Sequence, residues 1–247
     1  MILKNGKPVT GIYIGDKAVS KVYHGENLVW QKNQSEEKYL RYWWSGSDPL
    51  INGKLVDRMG SGIDWTLFGN PAWTGTEYVF DTTAKYGTYP NCADFNLGHH
   101  FKVVLDADLT MSVYMYGSTF LDLGSVRKSG KNIGFFYNQS GAGCNWKMAG
   151  DNENHVLAPR KDTTYPRDFA LAAGWPDVNL TMEMRDRGNG YDEFFVQDGE
   201  KEFTYQADVP EVEYSGFIAG VATLSRGFSA SSGIGMKLRS LKIYVYD

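Results

Sequence analysis

The chain is short of several things, and each shortage excludes a class of protein. It holds two cysteines in 247 residues, Cys92 and Cys144. That is too few for a disulfide scaffold, and neither stands in a CxxC or Cys/His pattern of the kind that binds zinc. They read as buried free thiols, because unpaired cysteine behaves as a small apolar side chain; a single bridge is the alternative in an oxidising compartment. No apolar run approaches the roughly 18 residues that a membrane-crossing helix needs. There is no basic block and the net charge is −4, so neither a nucleic-acid partner nor a membrane partner is expected. The opening Met1-Ile2-Leu3-Lys4-Asn5-Gly6 lacks the apolar stretch of a secretory signal, which predicts a chain assembled in a cytoplasm. Runs of Ala, Leu, Glu and Lys at helical spacing are scarce. Aromatics at 15% and 28 glycines instead favour strands and turns, and 42% hydrophobic residues suffice for a large core.

Three turn dipeptides punctuate the first thirty residues: Asn5-Gly6, Gly15-Asp16 and Gly25-Glu26. Asn-Gly suits a type I′ hairpin turn, and a leading glycine suits type II′. The segments between them are rich in Val, Ile, Tyr and Thr and are long enough for one strand each. Ile12-Tyr13-Ile14-Gly15-Asp16 also resembles Val22-Tyr23-His24-Gly25-Glu26. The spacing predicts a four-stranded meander. So small a module buries too little apolar surface to offset its own chain entropy. Yet Val9, Ile12, Ile14, Val19, Val22, Leu28, Val29 and Trp30 are apolar, so they need the rest of the chain, other copies or a different protein. Anchoring or oligomerisation is assigned to Ile12, Tyr13, Ile14, Val22, Tyr23, Leu28, Val29 and Trp30. Residues 32–38 are polar without a strand pattern and read as a linker. The expected organisation is a module at 1–31, a linker at 32–38 and one large domain at 39–247.

Strict alternation recurs in the large domain. Phe101, Val103 and Leu105, then Met111, Val113 and Met115, then Leu180, Met182 and Met184, and finally Leu241, Ile243 and Val245 each occupy every second position. Each series predicts a strand with one face in a core and one toward water. Asp198-Gly199 between two apolar runs predicts a hairpin, and Asp168–Ala173, ending at Gly174, one short helix or turn. The fold class expected is all-β: a small hairpin meander followed by a two-sheet antiparallel jelly-roll sandwich.

Two resemblances rest on these residues. Gly11-Ile12-Tyr13-Ile14-Gly15-Asp16 with Lys21-Val22-Tyr23-His24-Gly25-Glu26-Asn27-Leu28-Val29-Trp30 resembles the KVYxGxxLVW repeats at the ends of many tailed-bacteriophage structural proteins. It implies a virion component of head-fibre, tail-fibre or decoration type, assembled in the bacterial host cytoplasm. It also implies attachment to capsid or tail proteins as a homo-oligomer, a trimer being one stoichiometry. The large domain opens on Leu40-Arg41-Tyr42-Trp43-Trp44, carries the Asp198-Gly199 hairpin and closes on Leu238-Arg239-Ser240-Leu241-Lys242-Ile243-Tyr244. In this order it resembles the laminin G-like and concanavalin A-like lectin/glucanase family. That resemblance implies a sugar-binding or adhesive domain, although fold does not establish function.

Glucanases of that fold place carboxylates at alternate positions of one strand, where one serves as nucleophile and another as acid. No Glu-x-Asp-x-x-Glu is present; Glu183 with Asp186, and Asp192 with Glu193, fall on opposite faces of a strand. No nucleophile elbow, P-loop or dinucleotide fingerprint appears either, so no enzymatic activity is expected. His99 and His100 are adjacent and face opposite ways, so no metal site is assigned to them. Asp151, Asn152, Glu153 and Asn154 lack calcium-loop spacing; calcium stays an alternative only because relatives of the fold hold it at loop tips. No other cofactor is expected. Trp65, Trp73, Trp146 and Trp175 lie in loop-like sequence, as do Tyr86, Tyr89 and Asn91, while one of Trp43 and Trp44 is expected in the core. Aromatic rings stack on the apolar faces of sugars while amides and carboxylates take the hydroxyls. The carbohydrate site is accordingly assigned first to Trp146 with Asn145 and Asp151, and second to Trp73. Host-surface polysaccharide is the expected ligand. The competing reading is a bacterial surface or secreted carbohydrate-binding module.

Overall fold

The computed structural model of the chain describes residues 3–4, 7–8, 12–14, 17–19, 21–24, 27–31, 34–82, 84–110, 118–123, 133–140, 143–150, 155–157, 177–186, 191–198, 201–210, 220–225 and 235–246. Side chains are described within 36–82, 84–109, 120–123, 179–185, 220–225 and 235–246, and at Phe195. The chain divides into two compact units, Met1–Leu40 and Arg41–Asp247.

The first unit contains β1 (Leu3–Lys4), β2 (Lys7–Pro8), β3 (Ile12–Ile14), β4 (Lys17–Val19), β5 (Lys21–His24) and β6 (Asn27–Gln31). They pair as three separate antiparallel hairpins, β1 with β2, β3 with β4 and β5 with β6. Each of the three dipeptides stands between a paired couple: Lys4 opposite Lys7, Ile14 opposite Lys17, His24 opposite Asn27. The expected hairpin meander is present, and among the described residues it consists of six short strands rather than four. The polar stretch 32–38 holds one helical turn, α1 (Gln34–Glu37).

The second unit begins with β7 (Leu40–Ser45), β8 (Lys54–Leu55), β9 (Trp65–Phe68), β10 (Ala72–Trp73), β11 (Tyr78–Phe80) and β12 (Tyr86–Tyr89). A 3₁₀ turn, Cys92–Asp94, precedes β13 (Phe101–Thr110), β14 (Ser118–Leu123), β15 (Ile133–Ser140), β16 (Gly143–Gly150) and β17 (His155–Leu157). Then come β18 (Asp177–Asp186), β19 (Tyr191–Asp198), β20 (Lys201–Pro210), β21 (Ala222–Leu224) and β22 (Gly235–Val245). They form two eight-stranded antiparallel sheets. One runs β10-β11-β22-β13-β18-β19-β20, with β7 also on β22; the other runs β17-β16-β15-β14-β21-β12-β9-β8.

Alternation builds the core between them. Leu180, Met182 and Met184 are buried while Thr181, Glu183 and Arg185 are not, and β22 buries Leu241 and Ile243 but not Lys242 or Tyr244. The first sheet contributes Tyr42, Trp44 and Phe80, the second Trp65, Leu121 and Leu224. Tyr42, Trp44, Trp65 and Phe95 form one aromatic cluster with ring centroids 5.5–6.3 Å apart. The predicted hairpin at Asp198-Gly199 is present, with Asp198 opposite Lys201. Met111–Tyr116 and Asp168–Gly174 lie outside the described residues.

Two local irregularities mark the large unit. Asp106 pairs with Ser240 and Ala107 with Leu238, so Arg239 is the extra residue of a β-bulge, a device that re-aims a side chain. Asn52 and Gly53 have φ of 52° and 77°, and Ile51 and Lys54 exchange both backbone bonds at 2.9 and 3.0 Å. This is a two-residue type I′ turn, one the sequence reading did not single out.

Candidate functional site

β7 and β11 share one edge of β22, and they meet at Gly46. Its N–H donates to the carbonyl of the bulged Arg239 at 2.7 Å. A Cβ at Gly46 would stand 2.0 Å from the Leu238 carbonyl oxygen and 2.9 Å from the Glu77 Cα, so only glycine allows this approach. From there the chain leaves the sheet in the loop 46–62, which lies against the edge strand β10.

Besides the buried Leu55, polar contacts hold that loop. The buried Asp57 carboxylate accepts the N–H groups of Trp43 (2.7 Å), Met59 (3.2 Å) and Ser61 (2.9 Å). Arg58 Nε and Nη2 donate to the two oxygens of Asp48, both at 2.6 Å, the fork geometry that makes Arg–carboxylate pairs directional. Hydrogen bonds from Arg58, opposed by a smaller burial effect and helped by its charge, hold the Asp48 carboxyl below its ordinary range. The Arg58 guanidinium also covers the Trp43 ring at 4.3 Å, where Lys242 approaches at 4.7 Å, and such cations are drawn to the ring face.

Trp73 closes this edge. It is paired across β10 and β11 with Tyr78 and is offset-stacked on it, ring centroids 6.3 Å apart and planes at 21°. Its indole N–H donates to the Gly46 carbonyl at 2.9 Å, and the Tyr78 hydroxyl donates to the Asp48 carbonyl at 2.8 Å. Burial, then the Asp48 charge, raise the Tyr78 pKa. Trp73 nevertheless remains 46% exposed, and the same loop exposes Leu50, Ile51 and Met59. The arrangement is an aromatic pair fixed at one edge of the sandwich by the Gly46 and Asp48 carbonyls of a loop that also carries the Asp48–Arg58 ion pair.

Of the residues assigned from sequence, Trp73 is therefore at the surface, although on a strand rather than in a loop. Asn145 and Trp146 lie on β16, opposite Asn138 and Tyr137; their side chains, with Asp151 and Trp175, lie outside the described residues. So do the side chains of the N-terminal set Ile12, Tyr13, Ile14, Val22, Tyr23, Leu28, Val29 and Trp30. Trp65 is corrected from loop to core: it is fully buried on β9, packed between Trp44 and Phe95. Trp44 is the core member of its pair, its indole N–H on the Ile63 carbonyl at 2.8 Å. Asp48, Asp57 and Arg58 were missed. Their only sequence signal is turn chemistry, an aspartate ahead of Gly60 and Gly62, both at positive φ.

Tyr86 and Tyr89 lie on β12 rather than in a loop. The Tyr89 hydroxyl donates to Asp94, as does the Asn91 amide at 2.7 Å. The bond to Asp94, then burial and nearby negative charge, push the Tyr89 pKa up to about 12. Asn91 also caps the 3₁₀ turn, accepting the Ala93 N–H. Cys92 is buried, and burial pushes its thiol pKa up. Glu183 is held by Arg185 at 2.8 Å, and that guanidinium lies 3.4 Å over the Phe195 ring. Asp106 and Asp108 are carboxylates at alternate positions of one strand, overlooked in the sequence. Both accept from Arg239 at 2.7 Å. Burial of Arg239 works against its charge, but these two partners hold its pKa above the ordinary value. Among the described residues no three His, Cys, Asp or Glu side chains come together to hold a metal.

No protein-family model and no curated protein matches the sequence. Solved structures do resemble the fold. Domain 4 of AbnA, an extracellular arabinanase of family GH43 from Geobacillus stearothermophilus in complex with arabinotriose, superposes with a TM-score of 0.57 at 14% identity, over 83% of this chain and 92% of that one. The binding domain of botulinum neurotoxin DC in complex with SialylT gives 0.53 at 14%, over 85% of this chain and 49% of that one. A mutant Trypanosoma rangeli sialidase displaying trans-sialidase activity gives 0.53 at 11%, over 84% of this chain and 31% of that one. The chain thus spans about half of the neurotoxin chain and a third of the sialidase chain. At such identities the likeness shows the fold alone: a two-sheet antiparallel jelly roll.

Proposed function

We propose that the chain is a non-catalytic glycan-binding protein. In this reading its sandwich offers the Trp73 edge to host-surface polysaccharide, and its N-terminal module fastens it to a bacteriophage virion. The observation that carries the glycan reading is Trp73: an indole stacked on Tyr78 yet 46% exposed, beside the paired Asp48 and Arg58. Sugar C–H faces stack on such rings, and a carboxylate and a guanidinium with free lone pairs and N–H groups engage hydroxyls. The jelly roll shared with a domain bound to arabinotriose is consistent with this ligand class.

The non-catalytic half rests on how three of the described carboxylates are engaged. Asp106 and Asp108 share Arg239, and Glu183 is held by Arg185, whereas a glycosidase needs one carboxyl free to act as an acid. The virion half rests on the N-terminal repeat. A bacterial surface carbohydrate-binding module would use the same Trp73 edge, and labelled antibody on purified particles separates the two. Glycan binding is tested by screening the full chain on an array of bacterial polysaccharides beside Trp73→Ala. Retention by a subset of glycans, lost in the variant, is expected; silence across the array, or shortened products in solution, contradicts the reading.

A further inference from the structure

The three N-terminal hairpins recur at an interval of ten residues. β1–β2 turns between Lys4 and Lys7, β3–β4 between Ile14 and Lys17, and β5–β6 between His24 and Asn27. Aligned on those turns, Ile2, Ile12 and Val22 coincide, as do Leu3, Tyr13 and Tyr23, and Val9, Val19 and Val29. The registers set apolar residues opposite each other in both parities: Ile12 with Val19 and Tyr13 with Ala18, then Val22 with Trp30 and Tyr23 with Leu28. Each of these two ribbons is thus apolar at successive positions of both strands. Among the described residues none pairs with another ribbon. A lone two-stranded ribbon is marginal in water, and an open edge is a template for another strand.

The turns differ in charge, and the difference selects a partner. Lys4 and Lys7 flank the first turn without an acid, Asp16 and Lys17 cancel at the second, and Glu26 stands without Lys or Arg at the third. Copies set level with each other would oppose lysine to lysine at the first turn. Copies offset by two repeats would bring those lysines to Glu26 while keeping the ten-residue register. We propose that this module pairs with the same module of a second copy of the chain, the first hairpin of one copy lying beside the third hairpin of the next. A heterologous contact of this kind forms a closed ring if its rotation closes. The inference rests on reading the first residues as an attachment module and is independent of glycan binding.

Light scattering on the full chain at low salt tests it. The wild type should form one defined oligomer. Lys4→Glu with Lys7→Glu should weaken association about three- to tenfold, since an exposed ion pair contributes modestly, and adding Glu26→Lys should restore it. An unchanged melting temperature of the large domain shows that the variants fold. A monomeric wild type, indifference to the charge reversal, or no rescue by the third substitution would each overturn the proposal. A monomer that still binds purified particles overturns it too, while leaving attachment to a different protein intact.

Discussion

Two tryptophans with similar sequence neighbours have opposite roles. Trp65 is buried between Trp44 and Phe95, so Trp65→Ala should cost about 3–5 kcal/mol in a denaturant melt. Trp73→Ala removes one hydrogen bond and an exposed stack, so its cost should stay near ~1 kcal/mol. Glycine and polar neighbours could not separate the two residues; register does, because Trp65 faces across the sandwich while Trp73 ends an edge strand. Asp48 and Arg58 were illegible for a related reason, since it is the folding of the loop between them that brings them together. Asp48 has its carboxyl pKa lowered in the fold. Its contribution is therefore present above its unfolded value of 3.8 and lost as pH falls through the lower folded value. Asp48→Asn should accordingly reduce stability at neutral pH by about 0.2–1 kcal/mol and have no effect once the pH lies below the folded value. For Tyr89, raised to about 12 from 10.0, the sign is the reverse. Its contribution is complete below the unfolded value of 10.0 and lost as pH rises toward about 12, so Tyr89→Phe should weaken the protein at neutral pH and make no difference at the alkaline end of a pH series.

At the scale of elements, β22 organises the large unit because β7, β11 and β13 all pair with it. Its bulge aims Arg239 at Asp106 and Asp108 and turns the Arg239 carbonyl to Gly46. Gly46→Ala forces a methyl group into the Leu238 carbonyl, and backbone cannot step aside cheaply, so a loss of about 1–3 kcal/mol is expected in thermal or urea unfolding. The same variant should loosen Trp73, whose indole bonds the Gly46 carbonyl. The alternating strands around Phe101, Leu180 and Leu241 were legible because one face is buried and the side-chain period is two. The bulge was not, since nothing local at Leu238-Arg239-Ser240 separates it from a regular strand. In the N-terminal unit the three turns were legible from their dipeptides. The pairing into three separate ribbons was not, because the runs between turns read as single strands in sequence.

The whole molecule joins a repeat too small to stand alone to a sandwich large enough to bury its own core. The sandwich fixes the fold class and offers the Trp73 edge; in the proposed assembly the repeat sets how many such edges are presented together. If that pairing holds, an oligomer should retain polysaccharide far better than its single site does, since linked sites raise effective concentration. The binding isotherm of the full chain for the oligosaccharide that the array selects, measured beside Trp73→Ala and Trp73→Phe, tests the central claim most directly. The account predicts saturable binding, a loss of about ten- to a hundredfold in affinity for Trp73→Ala with the fold intact, and a smaller loss for Trp73→Phe, which keeps a ring. Equal affinity in Trp73→Ala and the wild type would contradict it.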